Sequence, residues 1–424
     1  MKSSTFLLKQ GTISSVLTVL LLVLSLLFVN WQVNVLGMKM YGLLILLLSA
    51  FGTINMLNVG IGTAMVNYYS KYGQDKTVFW SIFSTSFLFL LIISTVILTI
   101  SSLFYQSIFN ALGVGQEGLD IMAFYGFALI GISRLLSSIT TSYWTAKVDY
   151  LKLKLFGFIN IYLSITFILI FYSVNISINA SLFYAGVINF IFIVSITLQI
   201  IIRHTNLLTL PIATSIKLHA KEFMMNGLQL QGLSIINNIS NPIINVLVNT
   251  QFGLEAVSLF DIALKLLRSG RQIIVSATEP FFGKMTQLHN QNKKLLMRLL
   301  VIKYTKYMMG IALIYALATF LLSHYILTVW IGLEIADEVY KIVNIIAIGF
   351  AVNITTSIIY NKYLAIQSFR KYILIHQLLL LLMATLPLLI SIESLYNYSF
   401  MYSFAYIVSS LYLLFIFYFH PKAR

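Results

Sequence analysis

Long apolar runs recur from one end of this chain to the other, with only short polar breaks between them. A helix needs about 20 apolar residues to cross a bilayer, and soluble domains do not repeat such runs. The residues are 59% hydrophobic and 9% charged, with a mean hydropathy of +0.92. The composition therefore predicts an all-α integral membrane protein and excludes a large soluble domain between the spans.

Twelve apolar runs predict about twelve transmembrane helices. They lie near 11–30, 41–65, 79–103, 121–142, 156–174, 180–202, 227–250, 256–281, 304–325, 339–360, 373–393 and 399–419. A longer polar connection after the sixth run predicts two six-helix bundles, residues 1–210 and 211–424. The single shift in numbering that aligns Tyr41 with Phe260 also aligns spans 1 to 5 with spans 7 to 11. Duplication of a bundle and chance matching in a Leu- and Ile-rich chain both explain this alignment.

The basic residues predict the orientation. The formal net charge is +15, from 27 Lys and Arg against 12 Asp and Glu. With the N-terminus inside, 21 of the 27 basic residues fall on the inner side, and only Lys39 and Lys341 on the outer side. The positive-inside rule therefore places both termini in the cytoplasm. We expect no nucleic-acid partner, because the basic residues are scattered in short loops rather than clustered on one surface.

The eighth predicted span carries ionisable groups at membrane depth. At about 100° per residue, five of its polar side chains fall within about 60° of one another, and Arg271 lies about 60° further round. The five are Asp261, Lys265, Arg268, Gln272 and Glu279. Charged groups that face lipid are costly, so this stripe must face other helices or a water-filled cavity. We interpret Lys265, Arg268 and Arg271 as a site for a phosphate-bearing substrate, since guanidinium groups bind phosphate through two parallel hydrogen bonds.

Other interpretations of these residues stay open. Asp261 and Lys265 are four residues apart, which favours a local ion pair, and Glu279 is an acid that would neutralise an arginine. The same two acids are candidates for a coupling proton site. Arg134 in span 4 is the remaining intramembrane cation. It either faces the same cavity or bonds backbone carbonyls.

The seventh span has asparagines at helical spacing. They include Asn237, Asn238, Asn241 and Asn245. These side chains, with Gln272, either line a cavity and bind sugar hydroxyls or hydrogen-bond between helices, which is the ordinary use of Asn in a membrane. The sequence has no cysteine, and its six histidines are dispersed, so no pair has the spacing of metal ligands. The sequence also contains no phosphate-binding loop and no nucleophile elbow. We expect no metal, no cofactor and no catalytic residue.

Short motifs stand at five places along the predicted spans. They are Met40-Tyr41-Gly42 opening span 2, LNVGIGTA over residues 57–64 closing it, Glu279-Pro280 ending span 8, Trp330-Ile331-Gly332 after span 9, and AIQSFRK over residues 365–371 before span 11. In order and spacing they resemble those of the bacterial polysaccharide flippases. These are the Wzx-type O-antigen and capsule exporters of the multidrug/oligosaccharidyl-lipid/polysaccharide (MOP) superfamily. The resemblance covers all twelve spans, with two departures: span 1 has no charge within its apolar core, and Asn353 stands at the repeat-equivalent place of Arg134.

The resemblance implies a transporter rather than an enzyme, with two six-helix bundles of the MATE/MOP type around a cationic cavity. The implied substrate is a polyprenyl-pyrophosphate-linked oligosaccharide. It is flipped from the cytoplasmic to the outer leaflet of the bacterial cytoplasmic (inner) membrane by alternating access. Membrane lipids and the polysaccharide polymerase and chain-length machinery are the expected partners.

Two alternative functions remain at the level of the sequence. A cation-coupled multidrug exporter of the same superfamily would favour an acidic and aromatic cavity over a basic one. A membrane glycosyltransferase or polymerase belongs to a different class and usually needs a large external loop with catalytic side chains. The longest predicted external breaks, around 104–120 and 326–338, are short and carry no such pattern.

Overall fold

The computed structural model describes residues 2–58, 76–147, 149–204, 235–236, 238–278, 281, 284–285, 288–289, 291–366, 370–390 and 392–419. Within these ranges the chain is helical and contains no strand. The helices are α1 Lys2–Gly52, α2 Lys76–Ser102, α3 Tyr105–Ala111, α4 Ile121–Ala146, α5 Tyr150–Ser173, α6 Ile178–His204, α7 Leu254–Ser276, α8 Lys294–Ile331, α9 Leu333–Thr355, α10 Ser357–Ala365, α11 Arg370–Leu389 and α12 Leu395–Phe419. They form two compact units, one of residues 1–21 and 43–242 and one of residues 22–42 and 243–424.

Helix α1 is two helices that meet at Gly37. The glycine has a φ of 73° and a ψ of 167°, a conformation that L side chains rarely adopt. The predicted spans near 11–30 and 41–65 lie on either side of this break. A 3₁₀ turn, Thr53–Asn58, follows the second of the two helices. Gly253, with a φ of 85°, makes a similar break between the helical residues 238–252 and α7.

Small residues bring α4 and α6 close together in the first unit. A Cβ on Gly126 would overlap the Leu182 carbonyl, and one on Gly186 would overlap the Gly126 carbonyl. Because glycine has no side chain, the two backbones can approach closely at these positions, as is common between membrane helices. Further along the same pair, the hydroxyls of Thr140 and Thr197 hydrogen-bond at 2.9 Å.

In the second unit, α9 packs against α12 by the same device. A Cβ on Gly349 would overlap the Ser403 carbonyl, and the Gly349 N–H donates a 3.0 Å hydrogen bond to the Ser403 hydroxyl. Helix α8 is 38 residues long, about 57 Å at 1.5 Å per residue, so it extends beyond a hydrocarbon core of about 30 Å. The predicted span began at residue 304, and the helix begins earlier, at Lys294, because basic side chains outside the apolar core do not end a helix.

Among the described residues, eight helices are long and apolar enough to cross a membrane, or nine if α9 and α10, bent by 47° at their junction, form one broken span. The all-α membrane fold is therefore confirmed. The predicted second and seventh spans extend into ranges outside the described residues, so the twelve-span count stays a prediction. The cytoplasmic termini and the bundle boundary at residue 210, which also lies outside those ranges, stay predictions as well.

The helix starts bear on the proposed duplication. The shift in numbering that aligns Tyr41 with Phe260 carries the starts of α2, α5 and α6 close to those of α8, α11 and α12. Helices α4 and α9 depart from this agreement. The same shift carries Ile121, the first residue of α4, to Tyr340, which lies inside α9. The connections before these two helices therefore differ in length between the halves.

Candidate functional site

Helix α7 has one apolar face and one ionisable face. Its buried residues include Val257, Phe260, Leu264 and Leu267. The ring of Phe260 lies 5.4 Å from that of Tyr398 and 5.2 Å from that of Tyr402, both on α12. This packing fixes the rotation of α7, so that Asp261, Lys265, Arg268 and Arg271 meet side chains of α1, α9 and α12 within the second unit.

Tyr41 of α1 joins the first ionic pair of this face. Lys265 Nζ lies 2.9 Å from Asp261 Oδ2. The Tyr41 hydroxyl donates a 2.6 Å hydrogen bond to the same carboxylate oxygen and accepts a 2.7 Å hydrogen bond from Lys265. Tyr41 is fully buried, whereas the Lys265 side chain is 33% exposed. Asp261 and Lys265 therefore form the local ion pair that their spacing favoured, with Tyr41 as a third member.

The neighbour of Tyr41 explains how α1 comes so close to α7. A Cβ on Gly42 would overlap the Leu254 carbonyl and lie 2.7 Å from Ser258 Oγ. The Ser258 hydroxyl donates to the Met38 carbonyl at 2.5 Å. The Tyr-Gly pair of the sequence motif thus has two physical roles: glycine permits the approach, and tyrosine uses it to bind the ion pair.

The two arginines of α7 are held by neutral groups. Arg268 donates a hydrogen bond to the Tyr402 hydroxyl of α12. It also interacts electrostatically with the Asp261 carboxylate. Arg271 Nε donates a 3.0 Å hydrogen bond to Asn353 Oδ1 of α9. Asn353 Nδ2 in turn donates to the Ser410 hydroxyl of α12 at 3.2 Å. Within the ranges that the structure describes, no carboxylate forms an ion pair with Arg271. Both guanidinium groups are partly buried.

Arg134 lies in the first unit, on α4. Its Nη1 donates a 3.1 Å hydrogen bond to the Leu48 carbonyl of α1. Its Nε is buried, with no hydrogen-bond partner among the described residues. Arg134 therefore does bond a backbone carbonyl, as one of the two interpretations had it. The other interpretation, that it faces a transport cavity, stays a prediction.

The remaining predicted site residues fall into three groups. Asn238, Asn241 and Gln272 are exposed, whereas Asn245 is buried. Asn237 and Glu279 lie outside the described residues, so the predicted roles of both stay predictions. In the described part of the chain, no group of three or more His, Asp and Glu side chains is placed to hold a metal ion.

Sequence reasoning missed the partners that other helices bring to α7. Tyr41 was noted as part of a motif and as the repeat-equivalent of Phe260, and Asn353 only as the repeat-equivalent of Arg134. Tyr402 was missed altogether. One signal was present: Tyr398, Tyr402 and Tyr406 recur every four residues on α12, the spacing of one helix face. That pattern indicates an aromatic stripe with hydroxyls, but it does not identify the cations that meet it.

No family model matches this chain, and no curated protein is similar to it in sequence. Solved structures do match. A multidrug resistance MATE family transporter of the MOP superfamily, in an inward-facing conformation, superposes with a TM-score of 0.73 at 13% identity, covering 91% of each chain. The lipid II flippase MurJ, in an inward closed conformation, gives 0.73 at 16% identity over 96% of this chain and 86% of that one. The chain has the fold of the MOP superfamily transporters.

The MOP fold is shared with proteins that differ in what they bind. A MOP superfamily transporter from Pyrococcus furiosus, described as having a binding pocket of reversed polarity, matches with a TM-score of 0.64. It is 13% identical, and the match covers 96% of this chain and 93% of that one. At these identities the likeness shows the fold alone, so the predicted MATE/MOP-like fold of a multi-pass membrane protein is confirmed and membership of the superfamily stays a prediction. Specificity has to be argued from the side chains.

Proposed function

We propose that this protein is a transporter that flips a polyprenyl-pyrophosphate-linked oligosaccharide from the cytoplasmic to the outer leaflet of the bacterial inner membrane. The observation that carries the proposal is the cation strip of α7, defined as Lys265, Arg268 and Arg271. Only one carboxylate, Asp261, stands with these three cations between residues 259 and 276. A pyrophosphate would supply the negative charge that the strip needs at membrane depth.

The geometry supports phosphate binding in two ways. Asn353 takes one of the five N–H donors of Arg271, so the guanidinium can bind a phosphate while keeping that contact. Lys265 carries its charge on a four-carbon stem and is one-third exposed, so it can exchange the Asp261 carboxylate for a phosphate oxygen. Tyr41 keeps a hydrogen bond to Asp261 during this exchange and so compensates the carboxylate that is left behind.

The other predicted residues have secondary roles in this proposal. The exposed amides of Asn238, Asn241 and Gln272 would bind sugar hydroxyls, with Asn237 and Asn245 on the same predicted face. Arg134 stays a candidate for phosphate binding. Asp261 and Glu279 would serve as ion-pairing or coupling acids. Membrane lipids surround the protein, and the polysaccharide polymerase and chain-length machinery would take its product.

A loss-of-charge variant tests the proposal. Arg268→Ala/Arg271→Ala, introduced in a bacterium whose own flippase has been deleted, should abolish surface polysaccharide while the protein still reaches the membrane. The matched control is Arg203→Ala/Lys306→Ala, which removes two exposed basic side chains outside the strip. The purified double variant should also lose binding of inorganic pyrophosphate. Normal polysaccharide output from the strip variant would overturn the proposed site.

A second candidate is a cation-coupled multidrug exporter. It is favoured by the aromatic side chains around Phe260, Tyr398 and Tyr402, and by the fold shared with a multidrug resistance MATE transporter. In that case Asp261 would be the group that binds a cationic drug or its coupling ion. Expression in a drug-sensitive strain would then raise drug resistance, and Asp261→Asn would remove the effect. A flippase would instead leave drug sensitivity unchanged.

A further inference from the structure

His376 is a buried ionisable side chain that the proposed function does not use. It lies on α11 in the second unit and is 4% exposed. Its Nδ1 is 2.8 Å from the Ser409 carbonyl of α12. A carbonyl only accepts hydrogen bonds, so Nδ1 carries a proton in both the neutral and the charged ring. The nitrogen that gains or loses a proton is therefore Nε2.

The groups that act on this ring come from three other helices. Tyr360 of α10 meets it edge-on, with ring centroids 6.4 Å apart, and accepts a 3.1 Å hydrogen bond from Gln377, the neighbour of His376. Arg271 of α7 is linked to this region through Asn353 and Ser410. In the described part of the chain no carboxylate pairs with the imidazole. The cation that these contacts link to His376 is thus a member of the cation strip.

A short series of hydrogen bonds also connects Arg271 to His376. Arg271 Nε donates to Asn353, and Asn353 donates to the hydroxyl of Ser410. The preceding residue, Ser409, offers its carbonyl to His376. Helices α7, α9, α12 and α11 are joined in this order by three polar contacts. Arg271 and His376 therefore belong to one set of packed polar side chains within the second unit.

We propose that Nε2 of His376 is a proton-binding site whose occupancy is linked to phosphate binding at Arg271. The inference rests on the proposed function, because it needs an anion at the cation strip. The positive charge of Arg271 opposes a second positive charge on the imidazole. A bound phosphate offsets that charge, so the proton and the phosphate bind together. By reciprocity, phosphate binds more tightly when the ring is protonated.

This linkage gives the transporter a proton site without a carboxylate. Histidine changes its charge between about pH 5 and pH 8, so the occupancy of this site would respond to pH within that range. Ionisable side chains inside membrane proteins commonly mark ion or proton routes. The ordinary alternative is that His376 only ties α11 to α12 by its hydrogen bond. A glutamine can keep that bond, so it separates the two roles.

The test measures pyrophosphate binding to the purified full-length protein by calorimetry, in buffers of different ionisation heat, at pH 5.5 and pH 8. His376→Gln is compared with the wild type, and the difference cancels the protons that pyrophosphate itself takes up. The wild type should take up more protons per pyrophosphate than the variant, by up to about one. The ratio of wild-type to variant affinity should rise about fivefold or more from pH 8 to pH 5.5.

The controls separate the possible outcomes. His324→Gln removes an exposed histidine that pairs with Asp337, and it should leave the proton uptake unchanged. Arg271→Gln should weaken pyrophosphate binding and abolish the extra proton uptake, even if His376→Gln does not fold. Equal proton uptake by wild type and His376→Gln, with binding intact, would overturn the inference and leave the proposed function standing. Absence of pyrophosphate binding to the wild type would overturn the proposed function and the inference with it.

Discussion

The hydroxyl of Tyr41 lies between the two charges of the Asp261–Lys265 pair, donating to one at 2.6 Å and accepting from the other at 2.7 Å. This contact keeps the carboxylate beside the lysine in the absence of substrate. An empty cationic site inside a membrane is costly, and Asp261 reduces that cost by standing where a phosphate would bring its charge. We therefore expect the carboxylate and the substrate to compete for Lys265.

Asp261→Asn should bind pyrophosphate more tightly than the wild type. The change removes the competing carboxylate and releases Lys265, and we expect a gain of about tenfold, or about 1.4 kcal/mol. Calorimetry on the purified protein measures it. In proteoliposomes the same variant should complete a first turnover but slow down over many turnovers, because the empty site loses its counter-ion. Tighter binding with unchanged repeated turnover would contradict the role of Asp261 as a counter-ion of the empty state.

Tyr41→Phe is the matched comparison for that prediction. It removes one hydroxyl and two hydrogen bonds but changes no charge. Pyrophosphate affinity should therefore move less than in Asp261→Asn, while the unfolding temperature falls, because a partly buried carboxylate loses a donor worth about 1.5–3 kcal/mol. A Tyr41→Phe protein as stable as the wild type would mean that the hydroxyl does not hold the pair.

Asn353→Asp should weaken anion binding at Arg271. The substitution keeps the shape of the side chain but turns the neutral partner of Arg271 into a carboxylate, which competes directly with phosphate. We expect pyrophosphate affinity to fall about tenfold, or about 1.4 kcal/mol. Asn344→Asp is the control: it puts the same charge on α9, at a side chain that instead accepts a hydrogen bond from Ser323. Equal losses in both variants would show a general effect of charge rather than competition at Arg271.

Gly42→Ala should destabilise the second unit. The added methyl group would overlap the Leu254 carbonyl, and backbone on both sides would have to move. Overpacking of this kind costs about 1–3 kcal/mol, measured as a lower unfolding temperature in detergent. Gly310→Ala on α8 is the control, since a Cβ there meets no atom within 4 Å. It should be neutral or stabilising, because alanine favours a helix over glycine. A neutral Gly42→Ala would mean that α1 and α7 are not held at this distance.

Asp149 gives a pH dependence outside the membrane-spanning segments. It caps α5, accepts from the Lys152 N–H, and pairs with Lys152 Nζ at 3.0 Å. Burial would raise its pKa, but hydrogen bonds from Lys152 and the charges of Lys152 and Lys147 outweigh burial and hold the pKa below its ordinary value. Its stabilising effect is therefore present above the unfolded pKa of about 3.9 and is lost as pH falls through the folded pKa.

Asp149→Asn should show this effect in the unfolding temperature. Asparagine keeps the cap but loses the charge, so we expect a cost of about 0.5 kcal/mol at pH 7, because the ion pair is exposed. The difference from the wild type should shrink as the pH falls below the unfolded pKa and disappear below the folded one. Lys152→Gln should produce the same pH-dependent loss. A difference that stays constant from pH 7 to pH 3 would contradict the assignment to the carboxylate.

The apolar runs made most of the fold predictable. The described helices α2, α4, α5, α6, α11 and α12 begin within about six residues of the predicted spans, because a bilayer requires long apolar helices with satisfied backbones. The breaks were less predictable. Gly37 and Gly253 adopt positive φ, but glycine alone in a sequence does not distinguish a break from a close helix contact such as Gly126.

The candidate site was predictable along one helix and not across helices. Periodicity placed Lys265, Arg268 and Arg271 near one face of α7, and their spacing favoured the Asp261–Lys265 pair that the structure contains. The residues that complete the site, Tyr41 and Asn353, are remote in the chain. They reach α7 only through tertiary packing, which a single sequence does not specify.

The adjacency of Tyr41 and Gly42 has a consequence of its own. The glycine sets how near α1 comes to α7, and the tyrosine beside it spans that gap to reach both members of the ion pair. A separation larger by a single methyl group would exceed the reach of hydrogen bonds of 2.6 and 2.7 Å. The distance between the backbones of α1 and α7 therefore determines whether Tyr41 holds Lys265 beside Asp261. If Lys265 binds the substrate, the affinity of the site depends on how closely these two helices pack.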